Sequence, residues 1–332
     1  MKLKKEDIRA ILFITLSNLG DIILTTPVLE KLHDEFPRAC IDVVTGTPGM
    51  DIFNAHPAVR EIIVHKKRLS VKERIQLVVN LRRSRYDLVV DLKNSLIPYI
   101  VGAPFHTGFL KTPGIVHKKD EHLLKLRGLG MDPFSLGAFR HETSDTNFFI
   151  PITDDDRNYI DEIMDLEGKQ AVVISSGAKS HLKRWDAQKY AVLADKLISE
   201  LGCKVFVIGN DDDREVVRRV ISRMKESVTD LCCKTSIGAL AELISRADLV
   251  ITNDSAPLHV ASAVNALTVA VFGPSDERKY GPLAEGSVVV KPEVPCRPCE
   301  KALCAKGFDE GCISQVTVEE VFQAAEKILG RP

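Results

Sequence analysis

The sequence has no hydrophobic run long enough to cross a membrane. Its first apolar run, residues 11–16, follows a charged segment and ends at Ser17, so it is too short for a membrane span or a signal peptide. The sequence also lacks a charge excess. The 45 lysines and arginines are balanced by 46 aspartates and glutamates, which argues against binding of nucleic acid over the whole surface. Internal repeats and low-complexity segments are absent too. These absences predict an ordinary globular protein of the cytoplasm that does not bind nucleic acid.

Cysteines are too few and too dispersed for the disulfide framework of a small secreted domain, since there are eight in 332 residues. Four of them nevertheless lie close together in the sequence, as Cys296, Cys299, Cys304 and Cys312. This spacing suits a structural zinc or iron–sulfur site, and it also suits free thiols or a disulfide. The sequence leaves both interpretations open.

The length predicts two domains, because 332 residues exceed the size at which one hydrophobic core keeps growing. Short apolar runs alternate with segments of helical periodicity, which predicts two doubly wound α/β domains with parallel sheets. Polar residues around Pro151 interrupt this alternation. We therefore expect a first domain at residues 1–152 and a second at residues 153–332, which carries the cysteine-rich segment 296–312.

Asp21 is the clearest candidate for a catalytic residue. It follows the apolar run 11–16 and a short polar break, so it lies near the carboxyl end of a predicted buried strand. Open α/β sheets bind their ligands at that edge. A carboxylate there can accept a proton from a substrate hydroxyl, or it can cap a helix. The stretch alone does not decide between these roles.

A basic segment distinguishes the first half of the chain. Residues 60–85 contain nine lysines and arginines, including Lys66, Lys67 and Arg68. Within this segment, residues 71–84 have the periodicity of a helix, with Ile75 and Val79 on one face. The basic residues form either a solvated helix face or a surface that binds an anionic substrate or a membrane.

Three polar clusters follow predicted strands in the second half. Residues 175–185 combine small hydroxyl side chains, a glycine and basic residues, a composition that can wrap a phosphate. Residues 252–259 pass from a strand directly into a helix, whose free N–H groups can bind an anion. Residues 209–213 place carboxylates where nucleotide folds bind ribose. Each cluster also has a simpler explanation as an exposed loop or a helix cap, but together they predict a nucleotide diphosphate site.

Four motifs resemble, in the same order, those of glycosyltransferase family 9, the ADP-heptose:lipopolysaccharide heptosyltransferases. They are LGDIILTTP at residues 19–27, KRW at 183–185, NDSAPLH at 253–259 and FGPS at 272–275. The resemblance extends over nearly the whole chain. It implies a GT-B fold, in which two Rossmann-like domains face a central cleft. It also implies metal-independent, inverting transfer of heptose from ADP-heptose to the inner core of lipopolysaccharide, without a cofactor.

The resemblance implies roles for individual residues. Asp21 resembles the family's catalytic base, Lys183 its phosphate-binding lysine and Asp211 the acid that binds the ribose. The donor-binding residues expected on this basis are Ser175, Ser176, Lys183, Asp211, Asp254, Ser255, Ala256 and His259. The chain departs from the family pattern at Ala256, where the family usually has glycine, and at residues 176–177, where it usually has Pro-Gly. The methyl group of Ala256 narrows the space for a diphosphate near the backbone.

The resemblance also implies partners. The first domain is expected to bind the anionic lipopolysaccharide core, and Lys66, Lys67 and Arg68 are the candidate acceptor-binding residues. The second domain is expected to bind the ADP-sugar donor. The same basic residues also predict a peripheral contact with the cytoplasmic face of the inner membrane. Two alternatives stay open: a sugar-nucleotide epimerase of the same architecture, and a non-enzymatic nucleotide- or metal-binding protein organised around the cysteines.

Overall fold

The computed structural model describes residues 3–65, 70–109, 114–132, 148–304, 306–307 and 311–330. The chain divides into two compact units, Met1–Pro151 and Ile152–Pro332. Each unit contains one parallel β-sheet with helices in the connections between its strands. The predicted fold class, two α/β domains with doubly wound parallel sheets, is therefore confirmed.

The first unit is built on a five-stranded sheet. Its strands are β1 (Ala10–Ile14), β2 (Cys40–Thr45), β3 (Val59–Val64), β4 (Leu88–Asp91) and β5 (Phe105–His106). They lie in the order β3-β2-β1-β4-β5, and every pairing is parallel. Because the chain leaves β1 towards β2 and later returns to the other side of β1 as β4, the topological switch point lies between β1 and β4. Ligands bind at such a point in open α/β sheets.

The helices of the first unit are α1 (Leu19–Ile23), α2 (Thr26–Glu35), α3 (Met50–Phe53), α4 (Val71–Arg83), α5 (Ile97–Val101) and α6 (Lys118–Leu124). The face of α4 that carries Ile75 and Val79 does not face the core. Both side chains are exposed, whereas Leu77 and Leu81, on another face of the helix, pack on the core. An apolar strip of α4 is therefore left on the surface.

The second unit is built on a six-stranded sheet. Its strands are β6 (Ala171–Ser175), β7 (Lys204–Ile208), β8 (Thr229–Asp230), β9 (Leu249–Asn253), β10 (Thr268–Val271) and β11 (Val288–Val290). The order is β11-β10-β9-β6-β7-β8, again with parallel pairings throughout. Here the switch point lies between β6 and β9. Both strands are buried along their whole length, as expected for central strands covered by helices.

The helices of the second unit are α7 (Asp154–Ile163), α8 (Ala187–Ser199), α9 (Arg214–Ile221), α10 (Ile237–Arg246), α11 (Ala256–Ala263), α12 (Glu277–Tyr280) and α13 (Val318–Leu329). Ser236 is the N-cap of α10, because its hydroxyl accepts the N–H of Ala239. Across the residues that the structure describes, none of the helices combines the length and the apolarity needed to span a membrane.

Candidate donor and catalytic sites

The loops that follow β6 and β9 flank the switch point of the second sheet. The two strands are in register, with Ser175 opposite Thr252 at their carboxyl ends. The chain then continues into residues 176–185 on one side and into the start of α11 on the other. The first two polar clusters predicted from the sequence are therefore neighbours in the fold, although they are separated by about 70 residues of chain.

Lys183 and Asp254 form an ion pair across these two loops. The Lys183 Nζ lies 2.6 Å from the Asp254 Oδ2, and the side chain of Asp254 is only 4 % exposed, against 32 % for Lys183. The ammonium group also lies 5.6 Å from the centre of the Tyr280 ring. A buried carboxylate that pairs with a partly exposed cation restricts that cation to one position. The Lys183 charge is therefore placed in advance at the edge where the sequence predicts phosphate binding.

Asn253 holds the two loops together. Its Oδ1 accepts hydrogen bonds from the Trp185 N–H at 3.1 Å and from the Tyr190 hydroxyl at 3.0 Å. Its Nδ2 donates to the carbonyl of Ser176 at 2.9 Å and to that of Gly177 at 3.3 Å. A fully satisfied buried amide of this kind fixes the relative positions of the segments that it joins. Asn253 ends a buried strand and begins the 253–259 motif. This position in the sequence could have identified it as a positioning residue.

The N-terminus of α11 is open towards a ligand. Ser255 is its N-cap, but no side chain caps the first turn, and the Ser255 hydroxyl lies 3.3 Å from the Thr252 hydroxyl. His259 is buried one turn into the helix. The hydroxyl of Ser176 is buried and has no hydrogen-bond partner among the residues that the structure describes. An uncapped helix terminus and an unpaired buried hydroxyl are both features that a bound anion would satisfy.

The acidic cluster after β7 contains Asp211, the predicted ribose-binding residue. That side chain is 86 % exposed and pairs with Arg214 at 2.6 Å, an interaction that lowers the pKa of Asp211. Asp213 lies closer to the site, since a Cβ added at Gly177 would meet its carboxylate at 2.1 Å. Burial raises the pKa of Asp213. Gly177 therefore allows a close approach of the Asp213 carboxylate to the loop 176–185. The sequence interpretation did not single out Asp213.

The loop after β10 is fixed by a residue of the cysteine-rich segment. Arg297 donates to the carbonyl of Ser275 at 2.9 Å and to Glu277 at 3.1 Å, and it also bonds the carbonyl of Gly273. A Cβ at Gly273 would lie 2.6 Å from the carbonyl oxygen of Leu182, next to Lys183. The FGPS motif therefore packs closely against the loop that carries Lys183, the predicted phosphate-binding lysine.

The four cysteines of segment 296–312 line one cavity of about 210 Å³. All four are free thiols, and burial raises the pKa of Cys312. Within the described part of the chain, no group of three or more ligating side chains is close enough to hold a metal ion. The prediction of a structural metal at Cys296, Cys299, Cys304 and Cys312 is therefore not supported.

In the first unit, Asp21 lies in the first turn of α1, just beyond the carboxyl end of β1. Its Oδ2 accepts a hydrogen bond of 2.9 Å from the Asn18 side chain. Asn18, not Asp21, is the N-cap, so capping does not explain the carboxylate. The predicted acceptor-binding residues Lys66, Lys67 and Arg68 lie outside the described residues.

The second unit combines a doubly wound parallel sheet with polar loops at its switch point, which is where open α/β sheets bind their ligands. Comparison with known proteins identifies the family. The model of glycosyltransferase family 9 (heptosyltransferase) matches residues 133–308. The chain belongs to this family and is a glycosyltransferase of the GT-B fold.

Similar proteins cover almost the full length of the chain. Lipopolysaccharide heptosyltransferase 2 of Escherichia coli (strain K12) is 25 % identical over 96 % of this chain and 98 % of its own. Lipopolysaccharide heptosyltransferase 3 of the same strain is 27 % identical over 93 % and 95 %. The crystal structure of a family 9 glycosyltransferase from Veillonella parvula aligns with a TM-score of 0.81 at 25 % identity, over 99 % and 98 % of the two chains. The roles of the individual site residues remain predictions.

Proposed function

We propose that this protein transfers heptose from ADP-heptose to the inner core of lipopolysaccharide, with inversion at the anomeric carbon and without a metal. Its membership of family 9 carries the proposal. The full-length similarity to lipopolysaccharide heptosyltransferases supports the choice of acceptor. An E. coli heptosyltransferase of the same fold has been crystallised with ADP-2-deoxy-2-fluoro heptose, which supports the choice of donor.

The second unit binds the donor in this proposal. Cleavage of the bond to the anomeric carbon leaves negative charge on the departing diphosphate. Lys183 and the open N-terminus of α11 lie at one switch point, where they can stabilise that charge as it develops. Ser175 and Ser176 line the base of the same loop. Asp254 holds Lys183 in place until the diphosphate arrives.

The first unit supplies the base in this proposal. Asp21 takes the proton of the acceptor hydroxyl as that oxygen attacks the anomeric carbon from the side opposite the diphosphate. A single displacement inverts the configuration at the carbon and requires no second carboxylate as a nucleophile. The bond between Asn18 and Asp21 fixes one carboxylate oxygen and leaves the other available.

We further propose that the first unit contacts the cytoplasmic face of the inner membrane, where a lipid-linked acceptor would be presented. Eight of the ten exposed large apolar side chains among the described residues belong to this unit. Ile75 on α4 is 60 % exposed and Leu96, just before α5, is 64 % exposed. α4 also carries basic residues in its last turn. Apolar side chains flanked by cations are typical of surfaces that bind anionic membranes.

One incubation separates the candidate functions. With ADP-heptose and lipopolysaccharide truncated at the inner core, the transferase adds the mass of one heptose to the acceptor and releases ADP. An epimerase alters the sugar nucleotide and leaves the acceptor mass unchanged. A binding protein changes neither. Assignment of the new linkage by nuclear magnetic resonance then shows whether the anomeric configuration has been inverted.

Membrane contact has its own test. We expect the protein to float with vesicles that contain anionic phospholipid, and Ile75→Asp to reduce this association severalfold. Val192→Asp is the matched control, because Val192 is an exposed apolar residue of the second unit. Equal loss of flotation in both variants, or no flotation of the parent protein, would contradict the membrane proposal without affecting the transferase.

A further inference from the structure

The loop after β4 lies at the switch point of the first sheet, on the side opposite the loop that leads to Asp21. Asp91 ends β4 in register with Ile14, the last residue of β1, and the N–H of Leu92 donates to the carbonyl of Ile14 at 2.9 Å. Lys93 therefore follows the strand end by two residues. Its loop and the loop between β1 and α1 border the same sheet edge, where ligands of such sheets bind.

This loop is held rigidly from within. The buried carboxylate of Asp91 accepts the N–H groups of Lys93 at 2.8 Å and Ser95 at 2.6 Å. Lys125, itself buried, donates to the carbonyl of Leu92 at 2.9 Å and to the Asn94 Oδ1 at 2.8 Å. These contacts fix the backbone on both sides of Lys93. The position from which its side chain extends is consequently well defined.

The Lys93 ammonium group interacts electrostatically with the Asp91 carboxylate but forms no ion pair with it. The side chain is half-buried, yet among the described residues it makes no hydrogen bond or ion pair. Both oxygens of Asp91 are already engaged by backbone N–H groups. Burial lowers the pKa of Lys93, and the charge of Asp91 only partly opposes that shift. Lys125 places a second ammonium group beside the Asp91 carboxylate, but its hydrogen bonds turn that group inward, towards the backbone of the loop.

We propose that Lys93 binds an anionic group, a carboxylate or a phosphate, of the acceptor saccharide. A partly desolvated cation without an ion-pair partner binds an incoming anion strongly, because part of its hydration has already been lost on folding and adds little to the free-energy cost of binding. Held at this point, the acceptor would be oriented at the switch point to which Asp21 also belongs. The inference rests on the proposed function and names the chemical class that the acceptor must contain.

Steady-state kinetics of Lys93→Met and Lys93→Arg test the role. We expect Lys93→Met to raise the acceptor KM roughly 10- to 100-fold, as for the loss of one charge-assisted contact, with the donor KM unchanged. Lys93→Arg should retain most of the acceptor affinity. Lys4→Met, at an exposed lysine of the same unit, is the matched control. An unchanged acceptor KM in Lys93→Met, or an equal rise in both constants, would overturn the inference.

Two further measurements identify the anion and separate this inference from the transferase. If the anion is a carboxylate, an acceptor whose sugar carboxylate has been reduced to an alcohol should bind the wild-type enzyme more weakly than the intact acceptor does. Lys93→Met should bind the reduced and the intact acceptor equally. If dephosphorylation of the acceptor has this selective effect and carboxylate reduction does not, the anion is a phosphate. If the protein transfers no heptose, the Lys93 site can still be tested by titrating inorganic phosphate into the protein in the presence of saturating ADP. Binding by the parent and its loss in Lys93→Met support the site, whereas equal binding, or none, contradicts it.

Discussion

The switch points of the two sheets differ in how their charges are paired. In the second unit, Lys183 is matched by the buried Asp254, and Asn253 satisfies the surrounding backbone. In the first unit, Asp21 is bonded to the neutral Asn18, and Lys93 has no ionic partner among the described residues. The contrast indicates two kinds of site. Under the proposed function, the paired site of the second unit would bind the diphosphate, and the first unit would keep the Asp21 carboxylate and the Lys93 ammonium group for the acceptor.

The largest effect is expected at Asp21, the proposed base of the first unit. Asp21→Asn should lower kcat by about 10²–10⁴-fold, because the amide keeps the size of the carboxylate but cannot accept a proton. Donor affinity should change little. Asp51→Asn, at an exposed carboxylate of the same unit, is the control for stability and expression. Near-normal turnover in Asp21→Asn would show that the carboxylate has a structural role only.

The next largest effect is expected at the scaffold of the second unit. Asn253→Ala should lower the free energy of unfolding by about 2–4 kcal/mol, since it leaves the Trp185 N–H and the Tyr190 hydroxyl buried without their acceptor. Urea denaturation followed by tryptophan fluorescence measures this change, as Trp185 is the single tryptophan. Gln188→Ala, at an exposed residue of α8, is the control. A loss no larger than in the control would mean that water replaces the amide.

Removal of the paired cation should have a smaller and separable effect. Lys183→Met should weaken ADP binding by about 1.5–3 kcal/mol in calorimetric titration, because a charge-assisted contact is lost. It should also destabilise the unit, since Asp254 is left buried without its partner. The double variant Lys183→Met with Asp254→Asn should regain stability but not ADP affinity. Unchanged affinity in Lys183→Met would remove this residue from the donor site.

The smallest effect is expected at the unpaired hydroxyl. Ser176→Ala should leave the ligand-free protein as stable as the parent or slightly more stable, because the buried hydroxyl has no partner to lose. ADP affinity should nevertheless fall by about 0.5–1.5 kcal/mol if the ligand supplies that partner. Thermal shifts measured with and without ADP give both quantities. A loss of stability without ADP would indicate a partner within the protein.

Much of this fold could be predicted from sequence because its central strands are continuous apolar runs. β6, for example, is a run of buried residues from Ala171 to Ser175, of which the first four are apolar. The edge strands β5 and β11, of two and three residues, were missed because such short segments have no measurable periodicity. Periodicity also placed Ile75 and Val79 on one face of α4, but it could not show that this face is exposed.

The site was predictable only in part. The motifs located Lys183 and Asp254 separately, but their ion pair joins residues 71 positions apart and depends on the strand order. The preference for Asp211 over Asp213 followed the spacing of the resemblance, whereas the close approach of Asp213 to Gly177 is a tertiary contact. Lys93 stood in a polar loop that had no assigned role. That Lys93 forms no ion pair among the described residues can be seen only once the fold places the neighbouring charged groups around it.

The division of labour between the two units is tested most directly by measuring both Michaelis constants in Lys93→Met and Lys183→Met, with ADP-heptose and truncated lipopolysaccharide as substrates. We expect a crossed result. Lys93→Met should raise only the acceptor constant and Lys183→Met mainly the donor constant, because each cation lies at the switch point of a different sheet. If both variants raise the same constant, or if Lys93→Met raises the donor constant alone, the assignment of acceptor and donor to separate units is wrong.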